Sequence, residues 1–378
     1  MIQEGKSIFA KKIKATVPTM PEYESYIQEI KSIWENGIMT NNGEKVMKLK
    51  DMLTEYLDCP NMDLLVNGHS ALLLAIKLMD LKGEVITSPF TFVSTTNAIV
   101  QNGLIPVFGD IDESYNLNPD VIEELITPNT SAIITPHIFG IPCDVIKIEN
   151  IARKYHLKII YDGAQAFGTK VYGKPISAYG DMTIFSFHAI KVFNSIEGGG
   201  LVYQDPKLHE KIESYRNFGI SYEDLKSDVQ FCGINAKMNE FQAAMGIVNL
   251  PLHNSEIAKR KRLAQIYCEC LSDITGIHTY SYSKDVDYNY AYFPIKVTEE
   301  YGVTRDELWR KLHGQGVETR KLYDTLTCDY SCYKDRQYVR KTIYADRVKD
   351  ITLDLPIYGT LTEDDIIYIC ELIKALKE

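Results

Sequence analysis

The run "LKIIYDGAQA", residues 157–166, holds a short apolar stretch, Ile159-Ile160-Tyr161, that ends in an acid and a glycine. A few apolar residues bounded by turn formers read as a strand buried on both faces. Just upstream, "VIKIENIARKYH" has the spacing of an amphipathic helix, and before it "SAIITPHIFG" is another apolar run. The same alternation extends outward. "DLLVNG", "SALLLAIKLMDL", "EVITSPF", "STTNAIVQNG", "IPVFGDID" and "NPDVIEELI" come earlier, and "DMTIFSFH" follows. Strands alternating with helices predict an α/β fold, with a mostly parallel sheet covered by helices on both faces. Sites in such sheets form beyond the carboxyl ends of strands. The residues after each apolar run are therefore the ones to inspect.

Outside this region the residues before Val17 are polar and lysine-rich, and an arm is expected there. "EYESYIQEIKSIWENG" predicts a helix that stops at Gly37, and "GEKVMKLKDMLTEYLD" a second one. "MNEFQAAMGIVNL" begins a helix interrupted near Pro251 and continued in "SEIAKRKRLAQIYCECL". A domain boundary is placed there: 17–250 as a large domain, 251–378 as a smaller α+β domain. The latter holds a strand in "YNYAYFPIKV", a helix in "RDELWRKLHGQG" and a last helix whose start, Thr362-x-x-Asp365, resembles a capping box.

Bulk composition narrows the function classes. The chain has 378 residues, 45% hydrophobic and 24% charged, which allows a core of ordinary size. Its net charge of −10 offers nothing to nucleic acid or to an anionic membrane. The eight cysteines are scattered, with no CxxC pair and no histidine cluster at zinc spacing, so reduced thiols and no metal are expected. No stretch reads as a signal peptide or reaches the ~18 apolar residues of a membrane span. The cytoplasm is the expected location.

Three strand ends carry chemistry. In "VNGHSALLLAI" the strand turns into a helix at Asn67-Gly68-His69-Ser70. The unpaired first-turn N–H groups and the helix dipole favour an anion there, although an ordinary serine cap would look the same. Asp162 stands at the mouth of a buried strand, where a carboxylate needs a positive partner or donors, or else caps the next element. In "SFHAIKVFNSIEGGG", residues 186–200, Lys191 is one amine in a loop lined by Ser186 and His188 and closed by three glycines. Burial disfavours the charged form of an amine, and a neutral amine is what a Schiff base requires. An anion cradle, a buried carboxylate and a poised amine together suit pyridoxal phosphate, whose ring acts as an electron sink when its nitrogen is protonated.

With these residues in place, the order "NGHSAL", "EVITSPFTFVSTTNAI", "YDGAQAFG", "FSFHAIKVFNSIEGGG", "GINAKMNEFQAAMG" and "LPIYGTLTEDD" resembles the DegT/DnrJ/EryC1/StrS sugar aminotransferases. The likeness runs from about Val17 to the C-terminus. It implies the aspartate-aminotransferase-like fold, fold type I: a three-layer large domain and a smaller C-terminal one. It also implies that Lys191 forms the Schiff base, that Asp162 partners the pyridine nitrogen, and that Gln165 packs near the ring and its hydroxyl. Ser186, His69 and Ser70 take phosphate-binding positions, and Phe92 stacks on the ring. Asn235 would reach the phosphate of a neighbouring subunit's cofactor, so a homodimer with shared sites is implied, and Lys237 follows where the family has Arg or Lys. His69 departs from the family's usual Thr, and an imidazole does not copy a hydroxyl's geometry.

The reaction so implied moves an amino group from L-glutamate to a nucleotide-linked keto-sugar. The N-terminal stretch and "GINAKMNEFQAAMG" are most similar to the branch that aminates dTDP-4-oxo-6-deoxy-D-glucose at C4, with C3 amination of a related dTDP-sugar as the rival. His188, Lys237, Tyr323 and the loop Ile38–Asn42 are the expected substrate contacts. Other classes fit less well. A dinucleotide-dependent dehydrogenase would need GxGxxG after the first strand, which "VNGHSAL" lacks. A non-catalytic cofactor-binding regulator would need a basic recognition element, and none is present.

Overall fold

The computed structural model describes residues 12–223, 226–229, 231–333, 338–339 and 342–377. Its centre is an eight-stranded sheet. Seven strands come from the first part of the chain: β1 (Met62–Leu65), β2 (Glu84–Thr87), β3 (Ile105–Phe108), β4 (Thr130–Pro136), β5 (Lys158–Asp162), β6 (Met182–Ser186) and β7 (Gly199–Tyr203). Three more, β8 (Ile277–Thr279), β9 (Phe293–Val297) and β11 (Thr352–Leu355), form a separate antiparallel sheet. The two-residue β10 (Tyr338–Val339) joins the edge of the large one. The order in the large sheet is β1-β7-β6-β5-β4-β2-β3-β10. All neighbours run parallel except β7, which is antiparallel to both β1 and β6.

The parallel strands read as continuous apolar runs because both faces are covered. On β5, Ile159 and Tyr161 enter one core cluster and Ile160 the other. On β4, Ile133 faces the first cluster and its neighbours Ala132 and Ile134 the second. This is the two-residue alternation of a strand between two helix layers. The first layer holds α2 (Glu44–Leu57), α5 (Pro119–Leu125), α6 (Val145–Tyr155) and α8 (Glu240–Asn249). The second holds α3 (Gly68–Leu78), α4 (Val93–Gln101) and α7 (Leu208–Tyr215). Each fully buried Ile or Leu here contributes on the order of 1.5–3 kcal/mol. The predicted stop of α1 (Tyr23–Asn36) at Gly37 is seen, with Gly37 in the left-handed conformation at φ 71°.

A third core cluster belongs to the C-terminal part. Here α9 (His253–Leu271), α10 (Arg305–Gly314) and α12 (Glu363–Ala375) pack on the small sheet, with α11 (Ile343–Ile351) leading into β11. Thr362 and Asp365 form the expected reciprocal cap of α12. "YNYAYFPIKV" is a strand only from Phe293, because Tyr288 and Tyr290 turn aside into a cluster with Tyr282. We keep the division near residue 250 as a proposal, with two exchanges across it. Ile13 joins the C-terminal core, and β10 pairs with β3 of the large sheet. Among the described residues no helix is long and apolar enough to cross a membrane.

Candidate active site

A cavity of about 340 Å³ opens where β4, β5 and β6 end and α3 and α4 begin. Eight of the eleven residues singled out in the sequence line it. Asp162, Gln165, Ser186, His188 and Lys191 come from strand ends and the loops after them, His69 and Phe92 from helix starts, and Tyr323 from the C-terminal part.

One end of the cavity is built for close backbone approach. Asn67 caps α3, its Oδ1 accepting the Ser70 N–H at 2.8 Å. That N–H is one of the orphan donors of the first turn, and Ser70 does not line the cavity. A Cβ at Gly68 would lie 2.8 Å from the Ser186 Cβ, and one at Gly199 would lie 2.3 Å from the Asn67 carbonyl oxygen. Glycine at both positions therefore draws the α3 N-terminus against Ser186 and β7.

Asp162 lies deeper and is 6% exposed. Its Oδ2 accepts from the Thr95 hydroxyl at 2.9 Å and its Oδ1 from the Ala164 N–H at 3.0 Å. Burial pushes its carboxyl above the usual carboxylate range, while these two donors and the charges of Lys191 and His69 pull the other way. It thus caps its own loop, as the plain reading allowed, and also faces the cavity.

The Lys191 loop is closed on itself. Its own N–H donates to the His188 carbonyl at 2.8 Å, Ser195 N–H to the Phe187 carbonyl at 2.9 Å, and Phe187 N–H to the Gly198 carbonyl at 2.8 Å. His188 stands 3.4 Å from Glu197 across the mouth. No ion pair among the described residues takes up the Lys191 amine, which is half-buried and lines the cavity.

His69 resolves the departure seen in the sequence. Its Nδ1 is hydrogen-bonded to Ser94 Oγ at 2.8 Å, on the first turn of α4, and burial lowers its pKa. Gln165 is fixed at both ends of its amide: Oε1 accepts from Phe139 N–H at 2.7 Å and Nε2 donates to the Tyr323 hydroxyl. Phe92, the N-cap residue of α4, leaves its ring 65% exposed at the rim.

Three selected features lie elsewhere in this chain. Asn235 pairs with Asn217, and the Lys237 amine rests on the Oδ1 atoms of Asn217 (2.7 Å) and Asn235 (2.9 Å). Lys237 lines a second cavity of about 670 Å³ together with Asn41 and Asn42, the end of the loop expected at the substrate. Within that region Asp63, His209 and Glu213 come within reach of one another. Asp63 is already held by Lys50 and Tyr203, and Glu213 by Arg216 and Asn42, so the group is neutralised by its own partners.

The sequence reading missed Arg320, Tyr292 and His137, which also line the 340 Å³ cavity. Arg320 is paired with Asp354 of β11 (2.7 Å) and lies over the Tyr292 ring, two contacts between segments far apart in the chain. His137 directly follows the apolar run of β4 and could have been found by the strand-end rule. It is fully buried and stacked on Tyr161.

The model of the DegT/DnrJ/EryC1/StrS aminotransferase family matches residues 22–374. The dTDP-4-amino-4,6-dideoxy-D-glucose transaminase of Shigella dysenteriae is 38% identical over 97% of this chain and 100% of its own length. A protein of the same name from Escherichia coli is 36% identical over 96% of this chain and 98% of its own. Among solved structures, DesI in the presence of its TDP-sugar product superposes with a TM-score of 0.91 at 29% identity, covering 98% of this chain and 94% of that one. The chain belongs to the DegT/DnrJ/EryC1/StrS aminotransferase family, and it is a sugar aminotransferase of fold type I.

Proposed function

We propose that this enzyme transfers an amino group from L-glutamate to C4 of dTDP-4-oxo-6-deoxy-D-glucose, using pyridoxal phosphate held in the 340 Å³ cavity. The observation that carries the reading is that the buried Asp162 carboxylate at the end of β5 and the Lys191 amine in the loop after the adjacent β6 face one cavity. The residues fit the cofactor. A helix N-terminus and the Ser186 hydroxyl would hold its phosphate, which the close approach at Gly68 brings together. Phe92 would cover one face of the ring and Gln165 would sit at its edge. Asp162 would keep a proton on the ring nitrogen, and Lys191 would hold the cofactor covalently.

The cofactor, when bound, supplies an aldehyde that takes the amino group and a ring that accepts the electron pair left on the substrate carbon. Lys191, once the amino donor is in place, would move the proton. Its Nζ would take a proton from the donor Cα, and in the second half of the reaction would deliver one to the sugar carbon that gains the amino group. The walls of Tyr292, Leu322 and Tyr323 keep water from the reacting carbon. One base serves glutamate first and the keto-sugar second, so the two substrates share the pocket in turn, in a ping-pong scheme.

Two relatives named for dTDP-4-amino-4,6-dideoxy-D-glucose support the sugar and the carbon. Amination at C3 uses the same chemistry and is the alternative. Asn235, Lys237 and the Asn41–Asn42 loop gather away from this chain's own cavity, which supports a two-fold dimer in which they complete the partner's site.

The test is one incubation of the protein with glutamate and a panel of dTDP- and UDP-keto-sugars, the aminated carbon read by NMR. C4 amination of the dTDP-sugar is expected, and Lys191→Ala should abolish it. Borohydride reduction and peptide mapping should place the cofactor on Lys191. An adduct on another lysine, or an active monomer by light scattering, overturns the corresponding part.

A further inference from the structure

The cavity has two walls from different parts of the fold. One is the Lys191 loop; the other is Tyr292, Arg320, Leu322 and Tyr323. A segment that reaches the Lys191 loop and the stretch just before Arg320 is Lys12–Thr19, before α1. At one end Ile13 forms a parallel bridge with Val317: its N–H donates to the Gly316 carbonyl at 3.0 Å and its carbonyl accepts from Glu318 N–H at 2.9 Å. The Ile13 side chain is 2% exposed in the C-terminal core. Just beyond Glu318 the chain reaches Arg320, whose backbone exchanges two hydrogen bonds with Asp354. The Ile13 anchor is thus continuous with the second wall.

At the other end the Thr19 carbonyl accepts from Asn194 Nδ2 at 3.0 Å. Asn194 belongs to the Lys191 loop and is 3% exposed. Its carbonyl and Oδ1 both accept from Asn249 Nδ2, at 3.0 and 3.3 Å, where α8 ends and the chain crosses into the C-terminal part. The six steps from Ile13 to Thr19 span at most ~20 Å when extended. So short a segment limits how far its two ends can part.

We propose that Lys12–Thr19 is a strap that sets the spacing between the two walls, and that Asn194 is the positioning residue through which it holds the Lys191 loop. The proposal deepens the functional reading and rests on it only for its kinetic arm. Shifting the C-terminal wall would pull on Asn194, and loosening Asn194 would free the wall.

The experiment uses the full-length protein with Ile13→Ala, Asn194→Ala and the double variant, and Ile13→Val as the conservative control. Folding is first checked by circular dichroism. Hydrogen exchange followed by mass spectrometry needs no turnover. Ile13→Ala, which empties a buried apolar site but keeps its backbone bonds, should raise exchange in peptide 187–198 at least about fivefold, and Asn194→Ala, which removes side-chain hydrogen bonds, should raise it in peptide 316–323 about fivefold. Strand peptide 131–136 should be unchanged and Ile13→Val close to wild type. In kinetics each single variant should raise the KM for the amino donor about fivefold with kcat nearly kept, and the double should do no more than either alone. Exchange that rises only next to each substitution, or effects that add, overturns the strap. The expected exchange pattern in a protein that aminates no sugar would keep the strap and overturn the function.

Discussion

The hydroxyl of Thr95 donates to Oδ2 of Asp162 at 2.9 Å, joining the first turn of α4 to the end of β5. The donor holds a carboxylate that burial would rather neutralise. For a carboxyl raised above its unfolded value, the folded state binds more protons through that interval. Stability is therefore lost as pH rises through the interval and is not regained above it. Asp162→Asn removes that loss while keeping the shape. At pH 7 the cofactor-free Asp162→Asn protein should melt at or above the wild-type temperature. Its turnover should fall about 10²-fold or more, as when a preorganised electrostatic partner is removed. A lower melting point with normal turnover would reverse both halves of the argument.

Half-buried Arg320 pairs with buried Asp354, their side chains 24% and 1% exposed. Removing one partner of such a pair leaves a charge without its counterion and costs about 3–5 kcal/mol. Arg320→Ala should lower the denaturant midpoint by an amount of that order. The double variant Arg320→Ala with Asp354→Asn should recover part of it, because the stranded carboxylate is gone. Equal midpoints for the single and double variants would show that packing of the guanidinium on Tyr292, not the charge, carries the effect.

The contrast between these two pairs shows what the sequence could reveal. Asp162 was legible because a buried strand ended in an acid, a pattern written in consecutive residues. Lys191 was legible for the same local reason, as one amine between an apolar run and three glycines. The alternation of strands and helices fixed the layers, and Gly37 and the Thr362 cap marked their ends. Arg320 was not legible, because its meaning comes from Asp354 and Tyr292, brought to it only by the C-terminal fold. The antiparallel course of β7 was hidden for a like reason: no run of residues states the direction of its neighbour. The placing of Lys237 and Asn42 in a separate cavity is likewise a product of tertiary packing.

Two histidines predict the acid limit of stability. His137 and His253 are fully or almost fully buried, and burial lowers each pKa from 6.5 to about 3. Neither ring readily takes a second proton: His137 Nδ1 already accepts from the Cys143 N–H at 3.0 Å, and buried His253 lies near the like charge of Arg260. The unfolded chain takes up two protons below its ordinary histidine range that the folded chain refuses. Their contribution to stability is therefore complete above pH 6.5 and is lost as pH falls toward 3. The slope should approach two protons, about 2.7 kcal/mol per pH unit. His253→Leu should halve it, measured as urea unfolding free energy against pH. An unchanged slope would mean that the imidazole already carries its proton in the folded state.

Gly199 offers the sharpest steric test of how the anion end is built. A Cβ there would sit 2.3 Å from the Asn67 carbonyl oxygen and 2.9 Å from the Gly68 nitrogen, both backbone atoms that no rotamer change can move. The strand and the start of α3 would have to part. Gly199→Ala should therefore destabilise the protein by ~1–3 kcal/mol, the usual result of overfilling a packed site. It should also weaken retention of inorganic phosphate and of pyridoxal phosphate by the cofactor-free protein, because the first-turn N–H groups of α3 would tilt away from Ser186. Gly173→Ala is the control, since it lies in open space at φ 75° and its effect is confined to local backbone strain. It should lose stability without losing the anion. If Gly199→Ala binds phosphate as the wild type does, the α3 N-terminus is not the anion site, and the close approach of β7 serves packing alone.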